Sequence, residues 1–287
     1  MMRDAEPEDF WSPVVIIFGI QVICYIAALI MKDNSIVDIF WGLIVSCSMT
    51  IILVLNNNWH HRTIVTLILI WLWGIRMAVY VVLKHNGEDW RFADMREKFR
   101  RAGGKALEII LSGVLFFMTG LTMLLISSSA HFIAIYSHEN DDLFVLEWIG
   151  WVIIFVCIIL EFVSDIQLLV FKKKKDNKGK LCMTGLWRWS RHPNFFFEAV
   201  VWWGFYITAC SIKWGYITIW APVVITLTLR YVSGVPLIEE KYKDREDFEQ
   251  YKKQTNCFIP WFPKSASQVT QRIIVENPEK ERRRNLP

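Results

Sequence analysis

Two cysteines in a CxxC are nowhere to be found in this chain of 287 residues, and its six cysteines (Cys24, Cys47, Cys157, Cys182, Cys210 and Cys257) stand singly. Four of them fall within apolar runs. That scatter gives neither a disulfide framework nor a Cys/His zinc spacing, so no metal is expected from the sequence. Also missing are a GxGxxG loop after a strand, a Walker loop and an HExxH pair. A nucleotide cofactor would have to bind here without a Rossmann domain. The N-terminus lacks the positive stretch of a signal peptide: residues 1–11 hold one arginine against four acids.

Long apolar runs are what the chain does have. Hydrophobic residues make up 54% of it, with 15 Trp and 19 Phe, and the mean hydropathy is +0.30. About twenty apolar helical residues cross a hydrocarbon core ~30 Å thick. Seven runs qualify: 13–31, 36–55, 63–83, 106–127, 143–171, 195–212 and 214–231. The fifth exceeds the bilayer and is expected to tilt or project. The fold class is therefore all-α, a polytopic membrane helix bundle of about seven transmembrane helices. Residues 13–263 form its membrane domain, between a short tail at 1–12 and a disordered tail at 264–287.

Charge sets the expected orientation. With seven spans, the loops on one face hold 27 Lys and Arg, and those on the other hold Arg3, Arg62 and Lys213. The positive-inside rule puts the rich face in the cytosol. The loops 84–105 and 172–194 and the C-terminus lie there, and the N-terminus lies outside or in a lumen. The net charge of +4 then belongs to juxtamembrane loops near anionic lipid, with no nucleic acid implied.

Polar residues inside spans carry the functional signal, because a charge near the bilayer centre costs at least ~2.5–3.5 kcal/mol. Asp38 opens the second run, and Arg76 lies in the third with Tyr80 one turn on. Glu161 and Asp165 share a face of the fifth, and Glu198 lies in the sixth. Asp38 and Arg76 could equally neutralise each other. Glu198 could be an interfacial residue and Tyr80 an ordinary membrane aromatic. Between runs five and six, Gly185-Leu-Trp-Arg-Trp-Ser-Arg-His-Pro-Asn194 leads into a helix that Pro193 is suited to start. Free amides there, with Arg188, Arg191, His192 and Lys172, could take a phosphate. The same basic, aromatic composition is also what a juxtamembrane loop has by default.

Order and spacing say more. Glu161, Asp165-x-Gln167, Phe171-Lys172, the Gly185–Asn194 stretch, Glu198 and Trp202-Trp203-Gly204 together resemble the steroid 5-alpha-reductase superfamily. More narrowly they resemble its neighbouring branch of multi-span proteins grouped by a domain of unknown function (DUF1295-like). Asp38-x-x-Trp41-Gly42, Leu72-Trp-Gly-Ile-Arg76, Gly87-Glu-Asp-Trp-Arg-Phe92 and Tyr251-x-x-x-Thr255-x-x-Phe258-x-Pro260 resemble that branch too, and the likeness covers about 38–263. Arg-His-Pro alone is shared with isoprenylcysteine carboxyl methyltransferases.

The resemblance implies NADPH bound from the cytosolic side and a lipid or sterol entering from the bilayer, with the endoplasmic reticulum as the expected location in a eukaryote. Asp165, Asn194, Glu198 and Trp202 match reductase cofactor positions. Glu161 and Lys172 stand where the family often has Asn and Arg. Tyr251, from the C-terminal motif, joins Arg188, Arg191 and His192 as a cofactor-site candidate. Asp38, Arg76 and Tyr80 are the catalytic candidates. Trp73 occupies the place of the reductases' catalytic tyrosine, and Phe197 that of a glycine. Three activities stay open: an NADPH-dependent reductase of a lipid carbon–carbon double bond, an S-adenosylmethionine-dependent lipid methyltransferase, and a non-catalytic lipid or sterol binder.

Overall fold

A computed structural model describes residues 7–85, 87–137 and 145–264. The expectations for the outer part of the N-terminal tail and for the 265–287 tail lie outside those residues. Among the described residues the chain is helical, and six stretches are long and apolar enough to cross a membrane. In order these are α1 (Pro7–Met31), α2 (Ile36–Asn56), α3 (His61–Lys84), α4 (Trp90–Tyr136), α5 (Val145–Lys173) and the broken stretch Gly215–Glu240. Between the last two lies α6 (Pro193–Ala209), a seventeen-residue helix of ~26 Å. Its brevity separates six from the expected seven, and the fold is the all-α membrane bundle read from the sequence.

The chain divides into two compact units. The first comprises residues up to Ile158 together with Ala199–Ile225, and it packs by close helix crossings. Where α2 meets α3, a Cβ added to Gly42 would lie 2.7 Å from the Gly74 Cα, so only glycine permits that approach. Ser46 donates its hydroxyl to the Gly42 and Ile70 carbonyls at the same crossing. Gly150 of α5 makes a second such contact, with Gly204 and Thr208. Gln21 and Tyr25 of α1 donate to the Phe116 and Ile109 carbonyls of α4, so polar groups are satisfied across helices rather than by water.

Helix α4 shows why a length rule misleads. Forty-seven residues would extend ~70 Å, more than twice the hydrocarbon core. The left-handed Gly104 (φ 70°) breaks the run. The segment before the break, Trp90–Ala102, is charged, and the segment after it continues without interruption to Tyr136.

The second unit comprises Ile159–Glu198 and the chain from Thr226 onward. The expected last span is irregular here and in the neighbouring residues. A 3-10 turn (Gly215–Ile219) leads to α7 (Trp220–Leu227), a widened π turn (Thr228–Val232) and α8 (Val235–Glu240). Helix α9 (Glu246–Gln254) follows and carries Phe248 and Tyr251 on its buried face.

Candidate functional site

The second unit holds most of the residues singled out from the sequence. Glu161 and Asp165 of α5 are four apart, as are Asn194 and Glu198 of α6, so each pair shares a helix face. The Asn194 amide Nδ2 donates to Asp165 Oδ1 at 3.1 Å and joins the two faces. All three carboxyl groups are buried, Asp165 at 2% exposure. The amide oxygen of Asn194, Oδ1, is buried without a protein partner among the described residues. A seam of carboxylate and carboxamide acceptors therefore runs down α5 and α6.

Above it, the loop 185–192 is gripped from two sides. Gly185 adopts φ 60°, and a Cβ there would meet the Gln167 side chain at 2.4 Å, so the turn requires glycine. Gln167 Oε1 accepts the Leu186 amide at 2.9 Å, and the Trp187 indole donates to the Ser164 carbonyl at 2.9 Å. From the other side comes the segment after α9. The Tyr251 hydroxyl donates to the Trp187 carbonyl. The Arg191 amide donates to the Asn256 carbonyl, and Ser190 Oγ donates to that of Phe258. The Tyr251…Thr255…Phe258 pattern is thus a clamp on the loop. Burial pushes the Tyr251 phenol well above its ordinary range, in keeping with a hydroxyl spent on carbonyls. Pro193 starts α6 as its fixed φ favours, and the His192 carbonyl accepts the Phe196 amide.

The cations divide into two groups. Lys172 and Arg188 are exposed. Arg191 is 9% exposed and donates through Nε to Glu239 Oε1 (2.8 Å) and through Nη1 to the Thr255 carbonyl (2.7 Å). His192 Nε2 lies 3.0 Å from the same Glu239 oxygen. Burial lowers the His192 pKa, and the hydrogen bond to Glu239 only partly restores it. Whenever Nε2 carries a proton it donates to the Glu239 carboxylate, which has none to give. Cys257 Sγ stands 3.7 Å from that oxygen, and burial, with Glu239 adding to it, raises the thiol pKa. Sequence reasoning missed Glu239 and Cys257. They lie 47 and 65 residues beyond His192, and no local spacing connects them.

The remaining candidates belong to the first unit. Asp38 accepts from Arg91 Nη2 at 2.9 Å, and Arg91 Nε also binds Asp89. Arg76 is buried, with the half-buried Tyr80 one turn along α3. Trp202 is fully buried and meets Trp73 edge to face, ring centres 5.0 Å apart.

The family model described as "Protein of unknown function (DUF1295)" matches residues 24–255. Comparison with curated proteins and with solved structures finds no match.

Proposed function

The chain belongs to the DUF1295 family, a steroid 5-alpha-reductase-like branch, and from that premise we propose that it is a membrane-embedded, NADPH-dependent reductase of a lipid or sterol carbon–carbon double bond. One observation carries the reading: the hydrogen bond from Asn194 to Asp165, which joins two helix faces bearing three buried carboxyl groups. Such acceptors suit the amide and hydroxyl donors of a dinucleotide, and the buried Asn194 Oδ1 is an acceptor with room for one more donor.

NADPH, when bound, would supply the hydride. This chain's residues bind and orient it. Asp165, Asn194, Glu161 and Glu198 take its amide and hydroxyl groups. Lys172 and Arg188 take phosphate charge at the surface, together with the Arg191 nitrogen not spent on Glu239 or Thr255. His192 and Tyr251 hold the loop in place. On α3, Arg76 and Tyr80 are the candidates to polarise an oxygen of the lipid. The substrate enters from the bilayer.

Thermal unfolding of the purified chain with NADPH, NADH and S-adenosylmethionine tests the assignment. NADPH should raise the midpoint by several degrees. Asp165→Ala should abolish that rise while leaving an inserted, monodisperse protein. Stabilisation by S-adenosylmethionine alone would transfer the proposal to lipid methylation.

A second reading, a lipid binder without catalysis, has one observation in its favour. Trp73 stands where the reductase tyrosine is expected, and its ring is packed against Trp202 in the core. Lipid profiles after deletion separate the two, because only loss of a reductase leaves an accumulating unsaturated precursor.

A further inference from the structure

Three donors of three kinds meet at the base of the 185–192 loop. His192 brings an imidazole nitrogen from the residue before α6, Glu239 a carboxylate from α8, and Cys257 a sulfur from the segment after α9. Their ligand atoms all lie within 4.8 Å of one another. We propose that His192, Glu239 and Cys257 form a binding site for one divalent metal ion of the zinc class, distinct from the dinucleotide seam.

The geometry suits that ion. Zinc binds nitrogen and carboxylate oxygen at about 2.0–2.2 Å and thiolate sulfur at about 2.3 Å, so the edges of its tetrahedron run ~3.3–3.6 Å. The two separations to the shared Glu239 oxygen, 3.0 Å from nitrogen and 3.7 Å from sulfur, are within a few tenths of those edges, and the nitrogen and sulfur lie within 4.8 Å of each other, so a rotation of the Cys257 side chain closes the third edge around an ion. The donor set also narrows the choice. A sulfur with an imidazole disfavours calcium and magnesium, which take oxygen ligands, and suits zinc or another late first-row ion. Three protein ligands leave one coordination position, as in sites that keep a water or exchange a ligand.

Arg191 does not close the site. It donates to Glu239 through Nε, and an ionised carboxylate offers about four lone-pair positions, enough for both arginine and metal. Arg191 would then orient the liganding carboxylate, a role that hydrogen-bonding neighbours commonly play around metals. Binding exchanges protons for metal. The Cys257 thiol proton leaves to solvent, and His192 must present Nε2 unprotonated, its proton moving to Nδ1. No oxidation or reduction is involved.

The site has a structural consequence of its own. Its ligands come from the loop, from α8 and from the clamp segment, so one ion would tie together at a single point three stretches that are otherwise joined only by hydrogen bonds and the ion pair to Glu239. It rests on none of the residues that carry the reductase reading except His192, and metal retention can be measured without cofactor or activity.

Purified full-length protein, equilibrated with micromolar Zn²⁺ and dialysed, should retain about one ion per chain by mass spectrometry of the metal. Cys257→Ser and Glu239→Gln should each lower retention at least tenfold, while Cys182→Ser should retain it fully. Cobalt in place of zinc should show a thiolate charge-transfer band that Cys257→Ser removes. Should a variant misfold, wild type alone decides. Zn²⁺ should protect the Cys257 peptide from alkylation and a chelator should reverse that protection. Absence of protection, or equal retention by wild type and a folded Cys257→Ser, overturns the proposal.

Discussion

At Asp89, one carboxylate does two jobs. It caps α4 by accepting the Arg91 amide at 3.0 Å, and it binds the Arg91 guanidinium at 2.9 Å. Burial raises its pKa, but the bonds from Arg91 outweigh that and hold it below the ordinary carboxylate range. A depressed carboxyl adds stability that is complete above its unfolded value near pH 4 and is lost as pH falls through the folded value. Asp89→Asn should therefore lower the unfolding midpoint at pH 7 and converge on wild type as pH falls through the folded carboxyl's lowered range. Asparagine keeps the cap, so the cost at neutrality should be ~1 kcal/mol, that of charge-assisted bonds to Arg91 exchanged for neutral ones. Parallel melting curves across that range would remove the charge from the account. Tyr251→Phe deletes a buried donor and strands the Trp187 carbonyl, at a cost of ~1–3 kcal/mol. It should loosen the loop 185–192, measured as faster amide exchange at Leu186 to Arg191, without disturbing insertion. These roles were only half visible beforehand. Gly185 and Pro193 declare themselves by residue type, since a turn and a helix start need them. Glu239 did not, because a glutamate just past an apolar run looks like any solvated charge until folding brings it beneath Arg191 and His192.

Elements were legible where one physical signal dominates. The spans at 36–55 and 63–83 end within two residues of α2 and α3, because apolar length alone defines them. The last span was not legible in detail. Gly215 has no room for a side chain beside the Ala209 carbonyl, and the helix then widens into a π turn, so an unbroken hydropathy run hides a broken backbone. Helix crossings make the sharpest test at this scale. Gly42→Val places methyl groups where 2.7 Å separates a Cβ from the Gly74 backbone, and it should lower the midpoint markedly, by ~3 kcal/mol or more. Gly19→Ala in α1 meets nothing within 4 Å and should be neutral or slightly stabilising. Equal effects would mean that the α2–α3 crossing does not limit stability. The Arg62–Glu147 pair joins α3 to α5 with both side chains buried. Glu147→Ala should cost ~3–5 kcal/mol, and the double change to Met and Leu should recover part of it.

For the molecule as a whole, the charge asymmetry makes the prediction. Cysteines introduced at residues 96 and 178 should react with an impermeant maleimide from one and the same face of the membrane, and one introduced at 213 should react only from the opposite face. Reaction of residues 96 and 178 from opposite faces, or of 213 from theirs, would sink the charge-based topology. The two-unit division also orders events in time. Sixty-four residues separate the Trp187 carbonyl from the Tyr251 hydroxyl that holds it. At ~5–20 residues per second, the translating ribosome needs about 3–13 s to cover that distance. Helix α6, with Glu198 aboard, therefore leaves the ribosome while its loop still has only the α5 grip. A transcript cut short just before the clamp would yield a chain that keeps every apolar run up to α8 yet never finishes the 185–192 loop, and the cell's degradation machinery would see a nascent defect that orientation assays miss.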